Sequence, residues 1–147
     1  MLYLLDTNIL LRFVDRTNPL HPLVRGAIRK LRQDGHSLQM SSQNCVEFWN
    51  VATRPGTRNG FGVTPAEASR LLQLLERLFP ILPDSSDVYR EWRRLVVAFS
   101  VSGVQVHDAR LVAAMKINAI SHILTLNSID FRRYGAEGIV SGATATI

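Results

Sequence analysis

The chain opens on five apolar residues, Met1-Leu2-Tyr3-Leu4-Leu5, and the run stops abruptly at Asp6-Thr7-Asn8. Five residues are too few for a buried helix but suit a strand covered on both faces. A strand of that kind needs helices above and below it and parallel neighbours reached by crossover connections. In open sheets so built, ligands gather just beyond the carboxyl ends of the strands. Asp6 is therefore a carboxylate placed where an active site belongs.

The rest of the chain supplies the expected partners. Asn8 to Asp15 reads as a short helix broken by Asn18-Pro19. His21 to Gln33 has helical spacing through Leu23, Ala27, Ile28 and Leu31, and Asp34-Gly35 stops it. Ser37 to Ser41 reads as a second strand, and Ser42 as the cap of a helix through Val46, Trp49 and Val51 that ends near Arg54-Pro55-Gly56. Gly56 to Gly62 is polar and glycine-rich and reads as a mobile loop. Thr64-Pro65-Ala66-Glu67 is a capping box opening a helix to about Phe79. Ile81-Leu82 reads as a short third strand, and Ser85 or Ser86 as the start of a helix to about Ser100. Val106 to Asn118 is a further helix, Ser121 to Leu126 a strand, and Gly138 to Val140 an edge strand. Strands alternating with helices predict an α/β fold: a three-layer α/β/α sandwich on a mainly parallel central sheet.

A chain of 147 residues fits a single domain, 1–147, with a real core. No apolar stretch reaches the roughly 18 residues that cross a bilayer, and the start has neither a basic n-region nor a cleavage site. Cys45 is the lone cysteine, which fits a reducing cytoplasm. Lys and Arg total 17 against 12 acids, for a formal charge of +5. All but Lys30 and Lys116 are arginine, whose fork matches phosphate oxygens, so the bias favours a polyanionic partner. A GC-rich genome would produce the same bias.

The other acids repeat the placement of Asp6. Glu47 lies in the first turns of the helix after the second strand, with Val46, Phe48 and Trp49 beside it reading as half-buried. Asp108 lies in the first turn of the helix from Val106. Asn127 follows the strand Ile123-Leu124-Thr125-Leu126, and Asp130 comes three residues later. Each alone reads equally as a helix cap or a solvated face. Together they form a carboxylate pocket whose repulsion a hard cation relieves. Mg²⁺ or Mn²⁺ is expected from oxygen-only ligands. No Cys/His spacing for structural zinc is present.

These segments resemble the PIN-domain nucleases, and among them the VapC-type toxins of bacterial toxin–antitoxin pairs. The resemblance is carried by Leu4-Leu5-Asp6-Thr7-Asn8, by Val46-Glu47-Phe48-Trp49-Asn50 and by His107-Asp108-Ala109-Arg110-Leu111-Val112-Ala113. The last segment is Ile123-Leu124-Thr125-Leu126-Asn127-Ser128-Ile129-Asp130-Phe131. It implies a PIN-like sandwich, cleavage of RNA with Mg²⁺ or Mn²⁺, a cognate antitoxin and a homodimer. It maps the metal ligands onto Asp6, Glu47 and Asp108. The family's fourth acid commonly follows the Thr of the last segment, where this chain has Asn127. Asn keeps an oxygen without the charge, so a second metal is in question, and Asp130 reads either as a substitute or as a cap of the following turn.

In that reading Asp6 and Asp108 hold the metal directly or through water, and Glu47 is a ligand or the base that positions the water. The cation polarises a phosphoryl oxygen for in-line hydrolysis. Thr7 and Asn8 donate to Asp6 or a substrate phosphate, or only cap. Ser41 and Thr125 are second-rank candidates. Arg12, Arg54, Arg58 and Arg110 are expected around the mouth, with Arg132 and Arg133 beyond the last segment. Arg54 and Arg58, flanking Pro55-Gly56-Thr57, suit an RNA clamp. His107 reads more readily as a neighbour of Asp108 than as a participant. Trp49 and Trp92 read more readily as core or interface than as base-stacking platforms. A haloacid-dehalogenase-like phosphohydrolase would want an acid at Asn8. The remaining alternative is a PIN-like RNA-binding or scaffold domain that lost activity at Asn127. Apolar helix faces around Val46–Val51 and Leu71–Phe79 favour a homodimer.

Overall fold

The opening apolar run forms strand β1 (Leu2–Leu5), which sits inside the sheet with a parallel neighbour on each side. A computed structural model of the chain describes residues 1–143. After β1 come helices α1 (Thr7–Val14) and α2 (His21–Gln33), strand β2 (Ser37–Gln39), and helices α3 (Ser42–Thr53), α4 (Pro65–Leu78), α5 (Ser86–Ala98) and α6 (Val106–Ile117). Strand β3 (His122–Thr125), a 3₁₀ segment (Ser128–Glu137) and strand β4 (Val140–Ala143) complete the described chain. The strand order is β2-β1-β3-β4 and every pairing is parallel.

The sheet has a separate core on each face, because successive strand side chains point opposite ways. Leu5 and Leu124 join one apolar cluster with Ile9, Leu10, Ile28 and Phe48 of α1, α2 and α3, and with Leu75 of α4. Leu4 and Ile123 join the other with Val88 and Leu95 of α5 and Val112 and Met115 of α6. Each fully buried Leu or Phe contributes roughly 1.5–3 kcal/mol. Helix α6 buries Ala109 and Leu111 to Met115, so it is covered by the sheet on one side and α5 on the other. The expected three-layer α/β/α sandwich is the fold. No helix among the described residues is long and apolar enough to cross a membrane.

Several local expectations are corrected. Ser41, not Ser42, caps α3. Ile81 makes only a single bridge to Met40 rather than a strand. Prolines at 80 and 83 flank it, and a residue without N–H cannot extend the ladder. The Gly56 to Gly62 segment is tied down: Gly56–Arg58 is a 3₁₀ turn, and Phe61, Gly62 and Val63 donate backbone N–H groups to Val51, Arg54 and Ala52. Gly60 is required there, since a Cβ would stand 1.9 Å from the Arg54 carbonyl oxygen. At Thr64 only half of the capping box forms, with the Glu67 N–H donated to Thr64 Oγ1. The edge strand begins at Val140 rather than Gly138. The 3₁₀ segment has no strong sequence period; Phe131 and Tyr134, three apart, anchor it in the second core.

Candidate active site

The chain leaves β1 toward β2 on one side and leaves β3 toward β4 on the other, so the connections diverge between β1 and β3. That divergence opens a crevice at their carboxyl ends, and Asp6 stands in it. Its backbone N–H donates to Leu124 O at 2.9 Å, fixing it to β3. It is also the N-cap of α1, where Oδ1 accepts from the Thr7 N–H at 2.8 Å. Oδ2 accepts from Thr125 Oγ1 at 2.7 Å, and the Thr125 oxygen in turn accepts the Asn127 N–H at 3.0 Å. The carboxylate is buried, with each oxygen held by a donor.

Glu47 reaches the same crevice from α3. Ser41 and Asn44 form a reciprocal box at the start of that helix: Ser41 N and Oγ donate to Asn44 Oδ1, both at 2.8 Å, and Asn44 N donates to Ser41 Oγ at 3.1 Å. The Asn44 amide then donates to Thr7 Oγ1 at 3.0 Å, and the Thr7 hydroxyl donates to Glu47 Oε1 at 2.8 Å. Thr7 thus touches Asp6 through its backbone and Glu47 through its side chain. Val46 was expected to be half-buried but is 70% exposed beside Glu47, because α3 turns that face outward.

Asp108 comes from the first turn of α6, where the helix dipole favours an anion. Gln43 links the starts of α3 and α6. Its amide donates to His107 O at 2.7 Å, and its carbonyl oxygen accepts from Arg110 Nη1 at 3.0 Å. Arg133 of the 3₁₀ segment donates to Gln105 Oε1 just before α6, and its charge acts favourably on Asp108.

The electrostatics show how these acids are related. Burial pushes Asp6 up to about 6, the charges of Glu47 and Asp130 push the same way, and the Thr125 and Thr7 hydrogen bonds oppose them. Burial also pushes Asp108 up to about 7, aided by the charges of Asp6, Asp130 and Glu47 and opposed by Arg133. Four carboxylates therefore share one field. None of the four takes part in an ion pair among the described residues, although other acids do. Among the described residues no three His, Cys, Asp or Glu side chains form a ready metal cage. The donor set is nonetheless all oxygen, anionic and short of cations. That suits a hard divalent ion, which keeps several waters and needs few direct protein ligands.

Asn127 is exposed; its backbone N–H, not its side chain, makes the hydrogen bond to Thr125. Asn8 Oδ1 accepts weakly from the Leu126 N–H at 3.4 Å. Arg110 is occupied by Gln43. Arg54 donates across its own turn to Asn59 O at 3.2 Å, and its Nε, like that of Arg12, is buried without a partner. Arg58 and Arg132 are exposed. Trp92 donates to Val106 O at 2.9 Å and packs in the second core, while Trp49 packs against the first. Sequence reading missed Asn44 and Gln43. The Ser41-x-x-Asn44 spacing is a capping signal that could have found the first; nothing local marks Gln43, whose partners lie more than sixty residues away.

Comparison with known proteins bears on the fold. The family model described as PIN domain matches residues 3–137. No curated protein sequence matches. Among solved structures, the Rickettsia felis VapBC2 complex, bound to a DNA fragment from its promoter, aligns with TM-score 0.70 at 14% identity over 97% of this chain and 98% of the other. VapBC-1 from nontypeable Haemophilus influenzae gives 0.71 at 16% identity over 99% of each chain. Mycobacterium tuberculosis VapC20, a toxin that cleaves the sarcin–ricin loop, gives 0.63 at 15% over 95% and 97%. At these identities the likeness establishes a shared fold.

Proposed function

The chain belongs to the PIN-domain family, and from that premise we propose that it is a metal-dependent endoribonuclease, the toxin of a toxin–antitoxin pair acting in the cytoplasm. The observation that carries the reading is the set of four carboxylates at the β1–β3 crevice, mutually repelling and without an ion pair in a chain of net charge +5. Crowded buried acids cost stability and serve little purpose unless a cation binds there.

Asp6, Glu47 and Asp108 would hold the ion, with Asp130 supplying the charge that Asn127 lacks. A bound Mg²⁺ or Mn²⁺ offsets the carboxylate charge, polarises a phosphoryl oxygen and acidifies water. The protein's own groups do the rest. Thr125 and the Thr7 N–H hold both oxygens of Asp6 in one orientation. Thr7 holds one oxygen of Glu47 and leaves the other for the ion or for a proton of the attacking water. Asp108 brings a carboxylate from the opposite wall of the crevice. Arg133 lies near enough to favour an anion there, which suits a phosphodiester.

Asn127 favours an inactive RNA-binding domain; the charge of Asp130, acting on both Asp6 and Asp108, supports the active reading. Partner binding draws support from an apolar groove of about 570 Å³ between α1, α2 and α4, lined by Phe13, Leu71, Leu74 and Leu78 with Arg16 and Arg25 at its rim. A cognate antitoxin would fill it. Exposed Val46 on α3, outside that groove, favours a homodimer, which a monomer mass by light scattering at tens of micromolar would exclude. The activity itself is tested by incubating purified protein with structured RNA. Cleavage is expected with Mg²⁺ or Mn²⁺ and none in excess EDTA; cleavage in EDTA by contaminant-free protein overturns the reading.

A further inference from the structure

We propose that Asn44 is a positioning residue that fixes the direction of the hydrogen bond from Thr7 to Glu47 and so presents Glu47 to the ion; this rests on the nuclease reading above. The donors and acceptors between Ser41 and Glu47 admit no exchange of roles. The Ser41 backbone N–H can only donate, and it meets Asn44 Oδ1 at 2.8 Å. That contact assigns the amide, so Nδ2, a pure donor, faces Thr7 Oγ1 at 3.0 Å. Thr7 Oγ1 therefore accepts from Asn44, and its single proton is left for Glu47 Oε1 at 2.8 Å. The chain of polarity starts at a backbone group and ends on a carboxylate.

Asn44 is fully buried, and its amide is used on both sides. A capping role alone would need only the oxygen. The nitrogen crosses from α3 to the start of α1 and ties Glu47 to Thr7, whose backbone N–H donates to Asp6. Thr125 repeats the device on the other carboxylate: it accepts the Asn127 backbone N–H and donates to Asp6 Oδ2. Two threonines, each polarised by a nitrogen donor, set one oxygen of Asp6 and one of Glu47. Partners of this kind around metal ligands typically govern affinity by roughly 10- to 100-fold.

The test compares Thr7→Val, Thr7→Ser, Asn44→Asp and the double variant Thr7→Val/Asn44→Asp. Asn44→Asp keeps size and shape but replaces the donor with an acceptor, so the Thr7 proton turns toward residue 44 and deserts Glu47. Thr7→Val removes the hydroxyl and needs no buried charge, so it stands if Asn44→Asp fails to fold. Two readouts are taken: Mn²⁺ affinity by titration, and the γ-methylene NMR signals of Glu47 in metal-free protein, which are resolved when the side chain keeps one rotamer. Thr7→Val and Asn44→Asp are each expected to weaken Mn²⁺ binding roughly tenfold and to collapse the Glu47 signals. Thr7→Ser should restore both, and the double variant should lose no more than either single variant. Folded Thr7→Val with wild-type affinity and a rigid Glu47, or losses that multiply in the double variant, overturns the relay. If the wild type binds no Mn²⁺, the nuclease reading fails separately, and the metal-free Glu47 signals alone decide the relay.

Discussion

Two groups of carboxylates in this molecule are treated in opposite ways. Glu91 and Glu137 sit where α5, α6 and the 3₁₀ segment meet, and they share Arg94 and Lys116 in a continuous network of ion pairs. The Lys116 and Arg94 hydrogen bonds hold Glu137 below the ordinary carboxyl range. At the β1–β3 crevice, Asp6, Glu47, Asp108 and Asp130 have no ion-pair partner among the described residues, and burial pushes Asp6 and Asp108 up to about 6 and about 7. Cations are not scarce in a chain with 17 of them. The first group is fastened, and the second is kept unneutralised. An unneutralised site is unfavourable to the folded chain alone and useful to a chain that takes up a metal ion.

The sharpest way to break the contrast is to neutralise one acid from each group. Asp6→Asn is expected to lower RNA cleavage by at least about 100-fold, since losing a ligand should exceed the effect of losing its support. The same change should raise the melting temperature of metal-free protein at pH 8 by at least about 2 °C, because a buried, repelled charge is gone. Glu137→Gln should do the reverse: cleavage within about twofold, and stability lower by about 1 kcal/mol. Cleavage assays and thermal melts on the two variants read all four values. Equal behaviour of the pair would abolish the distinction.

A pH titration of metal-free protein sharpens it further. Asp6 and Asp108 hold their protons more tightly folded than unfolded. Their stabilising effect is complete below about pH 4 and is lost as pH rises through 6 and 7. For Asp6 the loss amounts to at most about 3 kcal/mol. Glu137, held low, behaves oppositely and loses its contribution only as pH falls below its ordinary range. Denaturant melts in EDTA between about pH 5 and 8 should therefore show falling stability, flattened by Asp6→Asn or Asp108→Asn and recovered by Mn²⁺. Stability that climbs with pH over this window would mean the acids are not crowded.

The smallest effects concern the last two acid positions. Asp130→Asn is expected to weaken Mn²⁺ binding about tenfold, since its charge acts on both Asp6 and Asp108. Asn127→Asp should tighten binding only a few-fold, most visibly at low Mg²⁺, because that side chain is exposed and the backbone already serves Thr125. Turnover need not rise with tighter ground-state binding. Calorimetric titration of both variants places them in order; a larger effect at 127 than at 130 would assign the fourth position to Asn127 instead.

The legible parts of the sequence were those whose cause is local. β1 was readable because apolar residues end at once in a capping Asp, and α2 because its spacing and its Asp34-Gly35 stop agree. Ile81 misled because its β-branched character says strand while the adjacent prolines allow only one bridge. The 3₁₀ segment after Asn127 was unreadable, since Phe131 and Tyr134 gain their anchorage from α5 and α6 rather than from their own neighbours. At the candidate site, carboxylates beyond strand ends could be picked out by position. Gln43 and the reach of the Asn44 amide to Thr7 could not, because each acts through residues distant in sequence.

The pairing of β1 with β3 has a consequence for the timing of synthesis. Tyr3 pairs with His122, and Asp6 meets Thr125 across 119 positions of chain. Ribosomes add roughly 5–20 residues per second. Asp6 therefore waits roughly 6–24 seconds before its β3 partner has even been made. Contacts so remote in sequence also close slowly. The nascent chain carries its first acid from the outset but has no assembled crevice until residues 122–125 have been translated. Under the proposed activity, no nuclease exists while β3 is still to be made.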